Sequence, residues 1–138
     1  MQYENKLRFF VVWNKNIHCF DKNHNVKETF DDNHNLIRVT RYDEKGRDID
    51  TFEYNDKKEI TAHQHKEYTS YGLIETYKSE HQEYRRIIKN EKRGSFVYHI
   101  EEFISQTSPK NNYVNEFIRD LTGKLVKIIN NGKIIYSK

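Results

Sequence analysis

The sequence predicts a mainly β protein: a single antiparallel meander sheet of roughly ten short strands, curled or half-barrel-like because long open sheets twist and expose their edges. Three observations predict it. A short unit recurs through the first half, as Phe20-Asp21-Lys22-Asn23-His24-Asn25-Val26, Phe30-Asp31-Asp32-Asn33-His34-Asn35-Leu36, Tyr42-Asp43-Glu44-Lys45-Gly46-Arg47 and Tyr54-Asn55-Asp56-Lys57-Lys58-Glu59-Ile60. Aromatic residues make up 14% of the chain, and their flat rings suit a pleated surface. The five glycines and one proline are too few for a low-complexity linker of appreciable length, and the glycines fall singly at turns.

Each unit joins an aromatic residue to Asp or Asn, then polar residues, then a residue that accepts positive φ, then an apolar or long side chain. Asp and Asn bond their own backbone in turns, and Gly and Asn take left-handed dihedrals at low cost. Turn signals about 8–12 residues apart mark short strands joined by hairpins, whereas helical repeats need a much longer period. The stretch reads as strand, tight turn, strand.

The first strand is expected over residues 7–13, where a continuous apolar run implies burial on both sides or a covered edge. Asn14-Lys15-Asn16 turns it into 17–20, and strands over 26–30, 36–42, 47–54 and 59–68 follow. In the last of these, Ile60 and Ala62 share one face while Glu59, Thr61, His63, His65 and Glu67 share the other, because side chains alternate. Further strands are expected over 73–78, 84–89, 95–104, 113–118, 125–129 and 134–136. The loop 106–112 holds the proline, and Thr122-Gly123 and the Asn131-Gly132 hairpin signal separate the last strands. Helix over 80–89 or 99–105 would need an apolar stripe at helical spacing, so strand is the reading.

At 138 residues the chain is expected to be one β-rich domain, residues 1–138. Its hydrophobic fraction is 35% and its mean hydropathy −1.05, yet the aromatics supply enough buried area to argue against disorder. The formal charge of +3 comes from 24 basic and 21 acidic residues, a balance that argues against a nucleic-acid partner and equally against a strongly acidic nucleic-acid mimic. The dense basic cluster, Arg85-Arg86 to Lys89-Asn90-Glu91-Lys92-Arg93, reads as a solvated hairpin tip. Cys19 is the only cysteine, which excludes an intrachain disulfide. No apolar segment has the length of a signal peptide or of a membrane span, so a cytoplasmic location and no membrane partner are expected.

His63 and His65 share a strand face with Glu59 and Glu67, and with His81 or His99 they offer donors of the kind transition metals take. Two histidines at alternate positions fix no third ligand, so the strip reads as solvent-facing and no metal or cofactor is assigned. His24 and His34 occupy equivalent repeat positions, where the turn itself explains a polar residue. Cys19 follows His18 in a predicted strand, where sequence neighbours face opposite ways, so His18 does not activate it and a buried thiol is expected. No spacing selects a catalytic set, and single glycines make no phosphate-cradling loop.

Tyr42-Asp43-Glu44-Lys45-Gly46-Arg47 resembles the YD repeats of Rhs-type proteins. Asp120-Leu121-Thr122-Gly123-Lys124-Leu125, with Arg119 in place of the tyrosine, looks like a further copy, as does Tyr68-Thr69-Ser70-Tyr71-Gly72-Leu73, which lacks the aspartate. In large Rhs proteins such repeats build a shell around a toxin, and a chain of 138 residues is too short to enclose one. Rhs-type and contact-dependent toxin loci carry small cognate immunity proteins, and in size and style the chain resembles those. The resemblance implies a cytoplasmic immunity or antitoxin protein, not an enzyme, whose partner is a cognate toxin and which acts by occluding the toxin's active site. A sheet face rich in Tyr, His, Glu and Arg suits such a partner, and Glu59, His63, His65, Glu67 and Arg85 are the candidate partner-binding residues. The alternatives are a small nuclease-type enzyme using His63, His65 and Arg85, a phage-encoded protein inhibitor, or a carbohydrate-binding β module with exposed Tyr rings.

Overall fold

A computed structural model of the chain describes residues 8–13, 16–21 and 25–138. The predicted β architecture is what it shows. Among the described residues there are twelve strands: β1 (Arg8–Trp13), β2 (Asn16–Asp21), β3 (Val26–Phe30), β4 (Leu36–Tyr42), β5 (Asp48–Tyr54), β6 (Ile60–Tyr68), β7 (Gly72–Ser79), β8 (Glu83–Arg93), β9 (Phe96–Ser105), β10 (Tyr113–Asp120), β11 (Leu125–Asn130) and β12 (Lys133–Ser137). They are hydrogen-bonded in sequence order as one antiparallel meander sheet, with a linear order from β1 to β12 rather than a closed barrel. A short 3-10 turn, Pro109–Asn111, interrupts the expected loop before β10. Leu7, the Asn14-Lys15 turn and His24 lie outside the described residues.

The recurring sequence unit is a recurring turn. In four of them the Oδ1 atom of the leading Asp or Asn accepts two backbone amides at 2.9–3.0 Å: Asn33 and Asn35 to Asp31, Lys45 and Arg47 to Asp43, Lys57 and Glu59 to Asn55, Thr122 and Lys124 to Asp120. The fourth residue of each turn has positive φ: His34 at 65°, Gly46 at 78°, Lys58 at 64° and Gly123 at 90°. Its amide donates to the carbonyl of the leading residue, at 3.0–3.1 Å. This is a type I turn closed by a left-handed residue, the arrangement that puts a bulge at the end of a hairpin. The pairing register accordingly shifts just before each turn, at Thr29/Phe30, Arg41/Tyr42, Glu53/Tyr54 and Ile118/Arg119. The Tyr68-to-Leu73 stretch turns differently. There the Gly72 amide donates to Thr69 Oγ1 at 2.9 Å, and a Cβ on Gly72 would meet the Ile88 carbonyl oxygen at 2.0 Å. Gly72 answers to close packing of backbones rather than to a left-handed turn.

The strands group into two compact units. The first runs to His65 and adds Lys78–Glu80; the second comprises Lys66–Tyr77 and His81–Lys138. Within each, strands pack against their neighbours in sequence. Few apolar side chains are buried among the described residues: Cys19, Val39 and Ala62 in the first unit, Ile118 in the second. More of the buried side chains are polar: Asp21, Glu28, Thr29, Thr40 and Asp50 in the first, Glu75 and Ser105 in the second. Buried polar groups must find hydrogen bonds, so cross-strand polar pairs carry much of the cohesion.

The second unit shows how. Glu75 accepts hydrogen bonds from Tyr84 Oη at 3.1 Å and Arg86 Nη2 at 3.0 Å, while Arg86 Nη1 lies 3.5 Å from Glu101 and Tyr113 Oη donates to Glu101 at 2.8 Å. Burial works to lower the Arg86 pKa, but the Glu75 and Glu101 carboxylates outweigh it and the pKa rises. Burial, with Glu101, pushes the Tyr113 hydroxyl up. Beside these groups the rings of Tyr77, Tyr84, Phe103 and Tyr113 follow one another across β7 to β10 at centroid spacings of 5.2, 5.0 and 5.3 Å.

Two expectations are corrected. The Arg85-Arg86 pair is not at a hairpin tip: β8 continues to Arg93, paired with β9 from Tyr84↔Ser105 to Arg93↔Phe96, and the tip is Gly94-Ser95. The strand persists because its cations find partners along it, Arg86 with the glutamates, Lys89 over the Tyr71 ring at 5.7 Å and Arg93 with Glu91 at 2.7 Å. The apolar run of β1 is not buried on both sides either. Val11 is 50% and Val12 72% exposed, and β1 stands at the end of the strand order among the described residues.

The turns generate two predictions. A Cβ on Gly46 would meet open space, so Gly46→Ala isolates the strain of a left-handed alanine; it should lose about 1 kcal/mol in urea unfolding, and Gly46→Asn much less. The turn amides also set a pH dependence. The Asn35 amide holds the Asp31 carboxyl below its usual value, the Arg47 amide does so for Asp43, and the Thr122 hydroxyl with the Lys124 amide for Asp120. A depressed folded pKa contributes stability that is complete above the unfolded value of about 3.9 and is lost as pH falls through the folded value. Asp43→Asn should keep the turn, as Asn55 does, and flatten the decline of the urea midpoint below about pH 4; an unchanged decline would count against this account.

Candidate functional site

The Asn55 turn sets the register of the site. Counting outward from it pairs Phe52 with His63 and Asp50 with His65 across β5 and β6, while Arg41 on β4 pairs with Asp50. Alternate residues on a strand share a face, so Arg41, Asp50, Phe52, His63 and His65 all project from one side of the first unit.

Asp50 is the buried centre of the group, at 6% exposure. Its Oδ1 atom lies 2.9 Å from His63 Nε2 and 2.7 Å from His65 Nδ1, and its Oδ2 atom accepts from Arg41, Nη2 at 2.5 Å and Nε at 3.2 Å. The partners reach the surface, with side-chain exposures of 58% for Arg41, 40% for His63 and 44% for His65. His63 lies flat on Phe52, ring centroids 4.2 Å apart and planes 7° from parallel, which fixes the imidazole in place. Burial works to raise the Asp50 pKa, but hydrogen bonds from Arg41, His63 and His65 outweigh it and hold the carboxyl far below the usual range. The result is a fixed anion ringed by accessible nitrogen groups. Chemically it can orient two imidazoles, present donors to an acidic partner, or hold a cation, since the Asp50, His63 and His65 ligand atoms lie within 4.8 Å of one another.

Of the residues singled out from the sequence, the structure brings His63 and His65 together. Glu59 closes the turn before β6, its amide on Asn55 Oδ1 at 3.0 Å, and with His63, Lys78 and Glu80 it lines an open depression of about 480 Å³. Glu67 on β6 and Arg85 on β8 are exposed residues of the second unit and are not part of the Asp50 group. His99 bonds Asn90 at 2.7 Å rather than joining the other histidines. Cys19 is buried, as expected, and His18 Nδ1 lies 3.2 Å from Thr29 Oγ1 on the next strand. Sequence reasoning missed Asp50 and Arg41, which sit outside the turn units; counting register from the Asn55 turn would have placed Asp50 opposite His65.

No family model, curated protein or solved structure matches the chain.

The geometry predicts an unequal set of substitutions. Asp50→Ala removes the shared acceptor of three side chains and should cost about 2 kcal/mol in urea unfolding, while His65→Ala should cost well under 1, because His65 is itself half-exposed and Asp50 keeps Arg41 and His63. Equal losses for the two variants would show that Asp50 does not organise the group.

Proposed function

We propose that this protein is a protein-binding inhibitor, an immunity or antitoxin protein of the cytoplasm that neutralises a cognate bacterial toxin by covering its active site. The observation that carries the reading is that Arg41, His63 and His65 stand half-exposed on one sheet face, each tied to the buried Asp50. Side chains already held in place lose little rotamer freedom when a partner docks, so more of their contact energy appears as affinity. Arginine and ring-bearing residues are the types that dominate interfaces, and the surrounding N–H donors suit carboxylates on the partner. Glu59, Glu67 and Arg85 are exposed and available as further contacts. No helix among the described residues is long and apolar enough to cross a membrane.

A second reading follows from the same group. Two imidazoles on one carboxylate, with an arginine alongside, are the parts of a metal-independent nuclease, with a base, an acid and a cation for phosphate. Arg41 takes the place that the sequence suggested for Arg85.

The test is capture of partners from the native host with the tagged protein, followed by binding and inhibition assays on whatever is recovered. The expected result is one stoichiometric toxin domain whose activity is blocked, with Arg41→Ala and His63→Ala each weakening binding at least tenfold while leaving the circular dichroism spectrum unchanged. Failure to recover a toxin, together with cleavage of RNA by the purified chain that His65→Ala abolishes, would sink the inhibitor reading in favour of the enzyme.

A further inference from the structure

Asp50 gathers its partners from three side chains, two of them imidazoles. Arg41 serves Oδ2, while His63 and His65 converge on Oδ1 at 2.9 and 2.7 Å. Three atoms with the chemistry of metal ligands thus face a common point.

We propose that Asp50, His63 and His65 form a binding site for one divalent transition-metal ion, Zn2+ being the best fit. Two imidazoles and one carboxylate are a donor set that zinc takes when it keeps a fourth position open, and the partial exposure of both histidines leaves that position to water. Metal–ligand distances of about 2.0–2.2 Å place tetrahedral donor atoms roughly 3.3 Å apart. The Asp50–His contacts therefore need to open by only about half an ångström, and the cluster as a whole already falls within 4.8 Å.

Proton bookkeeping is simple. A neutral imidazole carries one N–H, and ligation requires the nitrogen that faces the metal to be bare. His63 must then hold its proton on Nδ1 and His65 on Nε2, a change of tautomer through solvent with no change in net charge. The two N–H···O contacts to Asp50 are exchanged for three bonds to the ion.

The neighbours fit supporting roles. Arg41, bound to Oδ2, would remain as an outer partner that orients the carboxylate and leaves Oδ1 to the ion. Phe52 keeps the His63 ring from turning away. The positive charge of Arg41 opposes a second cation close by, so the affinity belongs in the micromolar range rather than below it. This site does not depend on the inhibitor reading, and its test needs no partner.

The experiment is a calorimetric titration of the full chain with ZnCl2 alone, in a buffer that does not chelate, with Co2+ absorption as a second probe. One ion per chain is expected. His63→Gln, His65→Gln and Asp50→Asn should each weaken binding at least tenfold and remove the visible Co2+ bands, whereas His99→Gln should leave both unchanged. The two histidine variants decide the matter if Asp50→Asn fails to fold, since their side chains are half-exposed and circular dichroism checks them directly. Absence of binding at 100-fold excess of about 10 µM protein, or binding that both histidine variants retain in full, overturns the site.

Discussion

A carboxylate or amide oxygen that gathers two amides of its own turn is the contact from which the rest of the chain takes its form. Asp31, Asp43, Asn55 and Asp120 each make it in the same way. Its effect reaches beyond the turn. A type I turn closed by a left-handed residue inserts one extra residue at a fixed place, so the bulge sets the register of the whole hairpin and hence which side chains meet. A slip of one residue in the Asn55 turn would put Asp50 opposite a neighbour of His65 and send the histidines to the other face.

Strong local specification matters more here than in a protein with a thick apolar core. The buried positions of both units are mostly polar, and little apolar area is available to correct a wrong pairing. Cross-strand partners take over that task. The stacked rings from Tyr77 to Tyr113 and the charged chain from Glu75 through Arg86 to Glu101 each require one particular register, since neighbouring alternatives leave a buried carboxylate unpaired.

The sequence carries the turns openly, because their chemistry is local: an Asp or Asn and a left-handed residue three positions on can be read without knowing anything distant. The strands between them, and the shared face of His63 and His65, follow from alternation. Asp50, Arg41 and Arg86 were not legible in the same way. Each lies mid-strand in an ordinary polar pattern, and its importance comes from a partner 9 to 15 residues away that only register supplies. Arg85 and Arg86 illustrate the limit, since adjacent arginines look equivalent in sequence while one is exposed and the other joins two glutamates. The apolar run of β1 misled for a related reason: hydrophobicity says that a segment suits cover, whereas what lies over each face of the strand decides whether Val11 and Val12 receive any.

Two buried carboxylates with arginine partners, Glu75 and Asp50, differ in the groups that complete them. Glu75 is satisfied by Tyr84 and by Arg86, a phenol and a guanidinium that donate hydrogen bonds to it and are poor metal ligands, so its network serves the fold. Asp50 is satisfied in part by two imidazoles, which are accessible, can exchange a proton between their nitrogens and can trade a hydrogen bond for a ligand bond. A buried anion given adaptable partners instead of fixed ones can change what it binds without losing its place in the fold, and both the proposed interface and the proposed metal site on the β4 to β6 face of the first unit draw on that property.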